Sequence, residues 1–171
     1  LMLTQETMGN RHKALRMVCI LATDALRAYN INERVTYHVY GSVHLRTVLP
    51  SGDNDVTLVL DSMSRQQMDP NGNTYSSPSN GFTASKILSV VEQYIFSKNP
   101  SETGVSVDKL VQAPDVQVLK LESNGMHVDL SINQTGGTAT SCFLHDVDAR
   151  IGRQHLFKSS LLLLKAWCSY E

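Results

Sequence analysis

A chain of 171 residues that is 42% hydrophobic and 18% charged is long enough for one compact core and too apolar for a disordered tail. Its formal net charge of -1 gives no global basic signal, so any contact with nucleic acid has to come from a local patch. Three cysteines, Cys19, Cys142 and Cys168, are an odd number without regular spacing, which argues against a disulfide framework and predicts small buried hydrophobes in a reducing compartment, cytoplasmic or nuclear.

Leu15, Val18, Cys19, Ala22, Ala25, Leu26 and Tyr29 recur at helical steps and predict an amphipathic helix over roughly 10–29, ended by Asn30 and Asn32. The β-branched and aromatic run RVTYHVY (34–40) predicts a strand, and NDVTLVL (54–60) predicts a second, its apolar side chains nearly continuous. Gly41-Ser42, a short turn and Pro50-Ser51-Gly52 lie between them. From 61 to 81 the composition shifts to Ser, Asn, Gly, Pro and Gln, which predicts a loop. Ile87, Leu88, Val91, Tyr94 and Ile95 share one face of a helix over 84–96. VQVLKLES and MHVDLSIN flank Asn124-Gly125, the strongest short-range hairpin signal. After Gly136-Gly137 two more helical patterns run to the end.

This order predicts a mixed sheet covered by helices, in the α+β or mixed α/β class. The apolar block 161–164 is far short of a membrane span. The chain opens at Leu1 and stops inside the helical pattern LLLLKAWCSYE, with no Gly, Asn or Pro to end it, so a piece of a longer protein is expected.

Aspartate disfavours strands, so two at the head of one need compensation. Asp53 and Asp55 are two apart, so their side chains leave the same face of the pleat and converge. Neighbouring carboxylates repel unless a cation neutralises them, and a hard divalent ion such as Mg²⁺ suits oxygen ligands. Gly41 allows a tight turn, and Ser42 offers a hydroxyl and an N–H at the start of a short helix, a geometry that suits phosphate. Asp129 is the third carboxylate, isolated in an apolar hairpin strand between Val128 and Leu130, where burial is costly without metal or hydrogen bonds. The cluster Cys142-Phe143-Leu144-His145 lacks a second ligand pair at zinc spacing and reads as structural. His38, His44 and His127 read as strand or turn residues, and Arg46 as a local packing residue. Lys158 and Lys165 with Arg150 and Arg153 form a modest basic stretch, either a solvated face or one turned to RNA or triphosphate.

YGSVHLRTVLPSGDNDVTLVL together with VDLSIN resembles the polymerase-beta-type nucleotidyltransferase superfamily, whose pattern is Gly-Ser, then Asp-x-Asp or Asp-x-Glu, then a third Asp. Within it, INQTGGTATSCFL and HLFKSSLLLLKAWCSYE resemble the terminal RNA nucleotidyltransferases, especially a plant and protist group of poly(A)/poly(U) polymerase type. The resemblance implies a polymerase-beta-like core over 1–152 and the start of a helical substrate-binding domain over 153–171. It implies that Gly41 and Ser42 hold the β- and γ-phosphates of a nucleoside triphosphate, that Asp53 and Asp55 hold two Mg²⁺ or Mn²⁺ ions, and that Asp129 completes one of them. Lys165 falls where the family carries a triphosphate-binding lysine, and Asn133, Thr140 and Ser141 where it contacts the nucleotide sugar.

The chain departs from the family in three places: Thr140 where several members have Asn, Ser169 where a second lysine is common, and Asn54 where the residue between the aspartates is usually apolar. The implied activity is transfer of a nucleoside monophosphate from NTP to an RNA 3′ end. Two alternatives stand beside it, a non-catalytic RNA-binding or scaffolding relative and a transferase with a non-RNA acceptor.

Overall fold

The computed structural model describes residues 5–61, 67–68, 74–75, 83–113 and 116–169. Helix α1, Gln5–Ala28, starts ahead of the predicted residue 10, with Glu6 in the first turn where the helix dipole favours an acid. Asn30 then turns the chain in the left-handed region at φ 58°, which asparagine tolerates. Strand β1, Val35–Tyr40, leads into the short helix α2, Gly41–Leu45, and β2 follows over Asn54–Leu60. Inside the segment read as a loop, β3, Gln67–Met68, pairs antiparallel with β4, Thr74–Tyr75. The rest of that reading, within 62 to 81, lies outside the described residues.

Helix α3, Ala84–Phe96, keeps its predicted bounds and is capped at Thr83, whose hydroxyl accepts from the Lys86 N–H at 3.3 Å. The one-turn helix α4, Pro100–Thr103, and strand β5, Val105–Gln112, were not legible in the sequence. A register break between Val107 and Lys109 interrupts the period-two pattern of β5. The predicted hairpin is present as β6, Gln117–Ser123, and β7, Met126–Ile132. Asn124 and Gly125 both take positive φ, 51° and 74°, as a two-residue primed turn requires. Helices α5, Thr135–Ile151, and α6, Leu156–Cys168, close the chain.

The five-stranded sheet runs β1-β2-β7-β6-β5, with β2 and β7 parallel and every other pair antiparallel. This is the mixed sheet flanked by helices that the element order predicts. One face buries Val56, Leu58, Leu60, Leu119, Leu121, Val128, Leu130 and Ile132 against α1 and α3. The other face carries the aspartates, with α2 and α5 along its β1–β2 side. Of the cysteines only Cys19 is buried; Cys142 and Cys168 are exposed, contrary to the sequence expectation, because α5 and α6 pack little of their length. Among the described residues, no helix is long and apolar enough to cross a membrane.

Candidate active site

Parallel pairing of β2 with β7 sets Asp55 directly opposite Asp129. Neighbouring strands lie about 4.8 Å apart, so the two carboxylates leave the same face side by side. Asp53 lies exposed just before β2, and its charge acts on Asp55. Burial is the largest cause that holds the Asp55 carboxyl above the usual carboxylate range; Asp129 and then Asp53 add to it, while Lys120 and Lys165 oppose it. The ammonium of Lys165, on α6, is therefore electrostatically part of the site.

Gly41 closes the site from the β1 side. Its φ of 66° suits glycine, and a β-carbon there would collide with the Asp55 carboxylate. The Gly41 N–H donates to Ser141 Oγ at 2.8 Å, and that hydroxyl donates to the Gly137 carbonyl at 2.9 Å. Ser141 is thus buried and holds the Gly41 turn from α5. Gly137 is needed in turn, because a β-carbon there would strike the Tyr40 ring. Tyr40 pairs with Asp55 across β1 and β2, and its hydroxyl lies 3.3 Å from Ser131 Oγ. Burial raises its phenol pKa, the two nearby carboxylates raise it further, and the Ser131 contact opposes them.

The remaining predicted residues surround this centre. Ser42 lies half-buried in the first turn of α2, and Thr140 is exposed on α5. Asn133 adopts φ 53°, and its Oδ1 accepts from the Leu60 N–H at 2.9 Å. Its buried Nδ2 has no partner among the described residues.

Lys120, which sequence reasoning passed over, forms the shortest contact of the site. Its ammonium lies 2.6 Å from Asp129 Oδ2, and this pair is the main cause that raises the Lys120 pKa. The signal was available: counting outward from the Asn124-Gly125 turn sets Lys120 opposite Asp129, and the ladder has that register. The donor set here is all carboxylate oxygen, the chemistry of a hard divalent ion, and its mutual repulsion calls for a cation. Among the described residues no three His, Cys, Asp or Glu side chains converge as a metal cage, and an ammonium already sits on Asp129. The site fits Mg²⁺ or Mn²⁺ in charge and donor type.

The fold is that of the polymerase-beta-like terminal nucleotidyltransferases. A structure of the Cid1 poly(U) polymerase with MgGTP bound matches 98% of this chain and 44% of its own, at TM-score 0.66 and 17% identity. The mtPAP structure in complex with ATPgammaS matches 98% of this chain and 33% of its own, at TM-score 0.67 and 22% identity. The GLD-2/RNP-8 complex matches 97% and 54%, at TM-score 0.64 and 18% identity. The chain thus spans a third to about half of the solved structures that it matches. No protein-family model and no curated protein matches the sequence.

Proposed function

We propose that residues 1–152 are the catalytic core of a metal-dependent nucleotidyltransferase that moves a nucleoside monophosphate from NTP to an RNA 3′ end. The observation that carries this reading is the in-register pair Asp55 and Asp129, pressed under the Gly41 turn. Gly41 and Ser42 hold the triphosphate at the start of α2, and Lys165 adds positive charge to it from α6. Asn133 and Thr140 face the sugar, and Ser141 acts through the Gly41 backbone that it holds. Asp53, Asp55 and Asp129 hold two Mg²⁺ or Mn²⁺ ions. When bound, such ions lower the pKa of an acceptor hydroxyl and neutralise a pyrophosphate leaving group. The carboxylates fix where those charges sit, and Lys120 holds Asp129 in its orientation until then.

Residues 153–171 begin a helical substrate-binding domain, and the exposed Leu163, Leu164 and Trp167 on α6 support that reading. RNA is the favoured acceptor because a poly(U) polymerase and an RNA terminal U-transferase share the fold. Labelled ATP and UTP offered with an oligo(A) primer to the full protein test the proposal. Incorporation of either nucleotide that requires Mg²⁺ or Mn²⁺ is expected, and none with both metals overturns it. The Lys120 ammonium on Asp129 favours one rival, a non-catalytic relative in which lysine replaces the ion. Calorimetry with Mg²⁺-ATP separates the two: binding unchanged by Asp53→Ala and Asp55→Ala favours the rival.

A further inference from the structure

Arg11 is fully buried on α1, although nothing in its helix explains a buried guanidinium. Its partners lie at the head of β2. Nη1 donates to the Gly52 carbonyl at 2.7 Å and to Asn54 Oδ1 at 2.9 Å, while Nη2 donates to the carbonyls of Leu49 at 2.7 Å and Pro50 at 2.8 Å. Asn54 is also fully buried, and its Nδ2 donates onward to the His127 carbonyl of β7 at 2.6 Å. One side chain therefore grips the loop that delivers Asp53 and the residue that separates Asp53 from Asp55. Asn54 extends the grip to β7, two residues before Asp129.

Stability alone is a poor reason for this arrangement. A buried charge is costly, an apolar replacement of matched volume is often neutral or better, and the Arg11 Nε has no partner among the described residues. Geometry is the better reason. Asparagine can accept from a guanidinium and donate to a carbonyl at once, whereas aspartate cannot donate and leucine can do neither. We infer that Arg11 and Asn54 are positioning residues that lock the Asp53–Asp55 turn to the Asp129 strand, an inference that rests on the catalytic reading above. Asn54 is then the counterpart of Arg11. Small displacements of reacting groups cost large factors in rate, so such a clamp acts on turnover more than on substrate affinity.

The test uses the full protein with Arg11→Met/Asn54→Leu, which removes both partners and strands neither, and with Arg11→Lys, which keeps the charge and loses the fork. Backbone hydrogen exchange is followed over 49–55 and over 117–123, together with kcat and KM for nucleotide incorporation. In the double variant, exchange over 49–55 is expected to rise about tenfold or more while 117–123 is unchanged. Its kcat is expected to fall about tenfold or more, with KM for NTP within about threefold of wild type. Arg11→Lys should fall between the two. Wild-type exchange over 49–55, or wild-type kcat, in the double variant overturns the clamp. If the double variant fails to fold, Arg11→Lys decides by the same readouts. If the wild-type protein incorporates no nucleotide, the catalytic reading fails by itself and exchange over 49–55 alone judges the clamp.

Discussion

On the helix side of β2, Val56, Leu58 and Leu60 are buried in a row, with Asn54 at its head held by Arg11. On the other side Asp55 and Thr57 alternate with them, and Asp55 stands beside Asp129 in an environment that raises its pKa. Both faces belong to the same seven residues. The difference between them is energetic: the helix face stabilises the fold through apolar burial, and the open face holds partly buried acids together at a cost. The proposed site lies on the face that weakens the protein, set against a face whose row from Val56 to Leu60 is buried and apolar.

The largest effect expected on this contrast comes from Asp55→Asn. Loss of one group aimed at developing charge lowers turnover by about 10²-fold or more, read as nucleotide incorporation per enzyme. The metal-free variant should nevertheless melt above wild type at neutral pH. Because the folded-state pKa of Asp55 is raised, its contribution to stability is complete below the unfolded value and lost as pH rises through the folded one. Asn54's neighbour as an amide has no such loss, so the gap in Tm should open between acidic and neutral pH in chelator-treated protein. Equal melting at both pH values would show that the acids are not strained. Leu58→Ala should do the reverse, costing about 2–5 kcal/mol of unfolding free energy while the folded fraction keeps its kcat. Denaturant melts and activity per folded molecule measure it.

Much of this arrangement could be read from residues before any coordinates. The strands β1, β2, β6 and β7 and the helix α3 each carry an unbroken period, and acids on an apolar strand mark themselves by their cost. Strand β5 escaped because its bulge breaks the period at Asp108-Lys109. Lys120 was legible in principle, since a two-residue turn fixes the register on both sides. Arg11 was not: a lone arginine on a helix has the pattern of a solvated residue, and its acceptors are loop carbonyls whose path no periodicity encodes. Asn54 stood out only as a departure, with its partner 43 positions away.

Lys120→Met sharpens the contrast on the open face. The lysine side chain is 32% exposed and Asp129 18%, so the pair should be worth no more than about 1 kcal/mol to folding. Its weight lies in competition, because the ammonium occupies Asp129 where a divalent ion would bind. The variant should therefore reach half-maximal incorporation at about severalfold lower Mg²⁺, in keeping with one fewer competing charge. An unchanged Mg²⁺ requirement would mean that Lys120 leaves Asp129 without cost when the ion binds.

The smallest effect compares the helices on the two sides of the sheet through their thiols. Cys19 sits in the sealed layer of α1, and burial pushes its pKa up to about 11. Cys142 and Cys168 sit exposed on α5 and α6. The thiolate is the reactive form, and burial at Cys19 both disfavours it and shields the sulfur. Two thiols should thus react rapidly with an aromatic disulfide reagent in native protein, and the third only after denaturant is added. The sign for stability follows from the raised pKa: Cys19 favours the folded state below the unfolded thiol value of about 8.5 and loses that contribution as pH rises toward about 11. Cys19→Ser should abolish the slow thiol and leave nucleotide incorporation unchanged, because α1 meets the site through Arg11 and not through this turn. Three thiols reacting at one rate would mean that the helix face opens as readily as the site face, and the contrast between the two would then be one of charge alone.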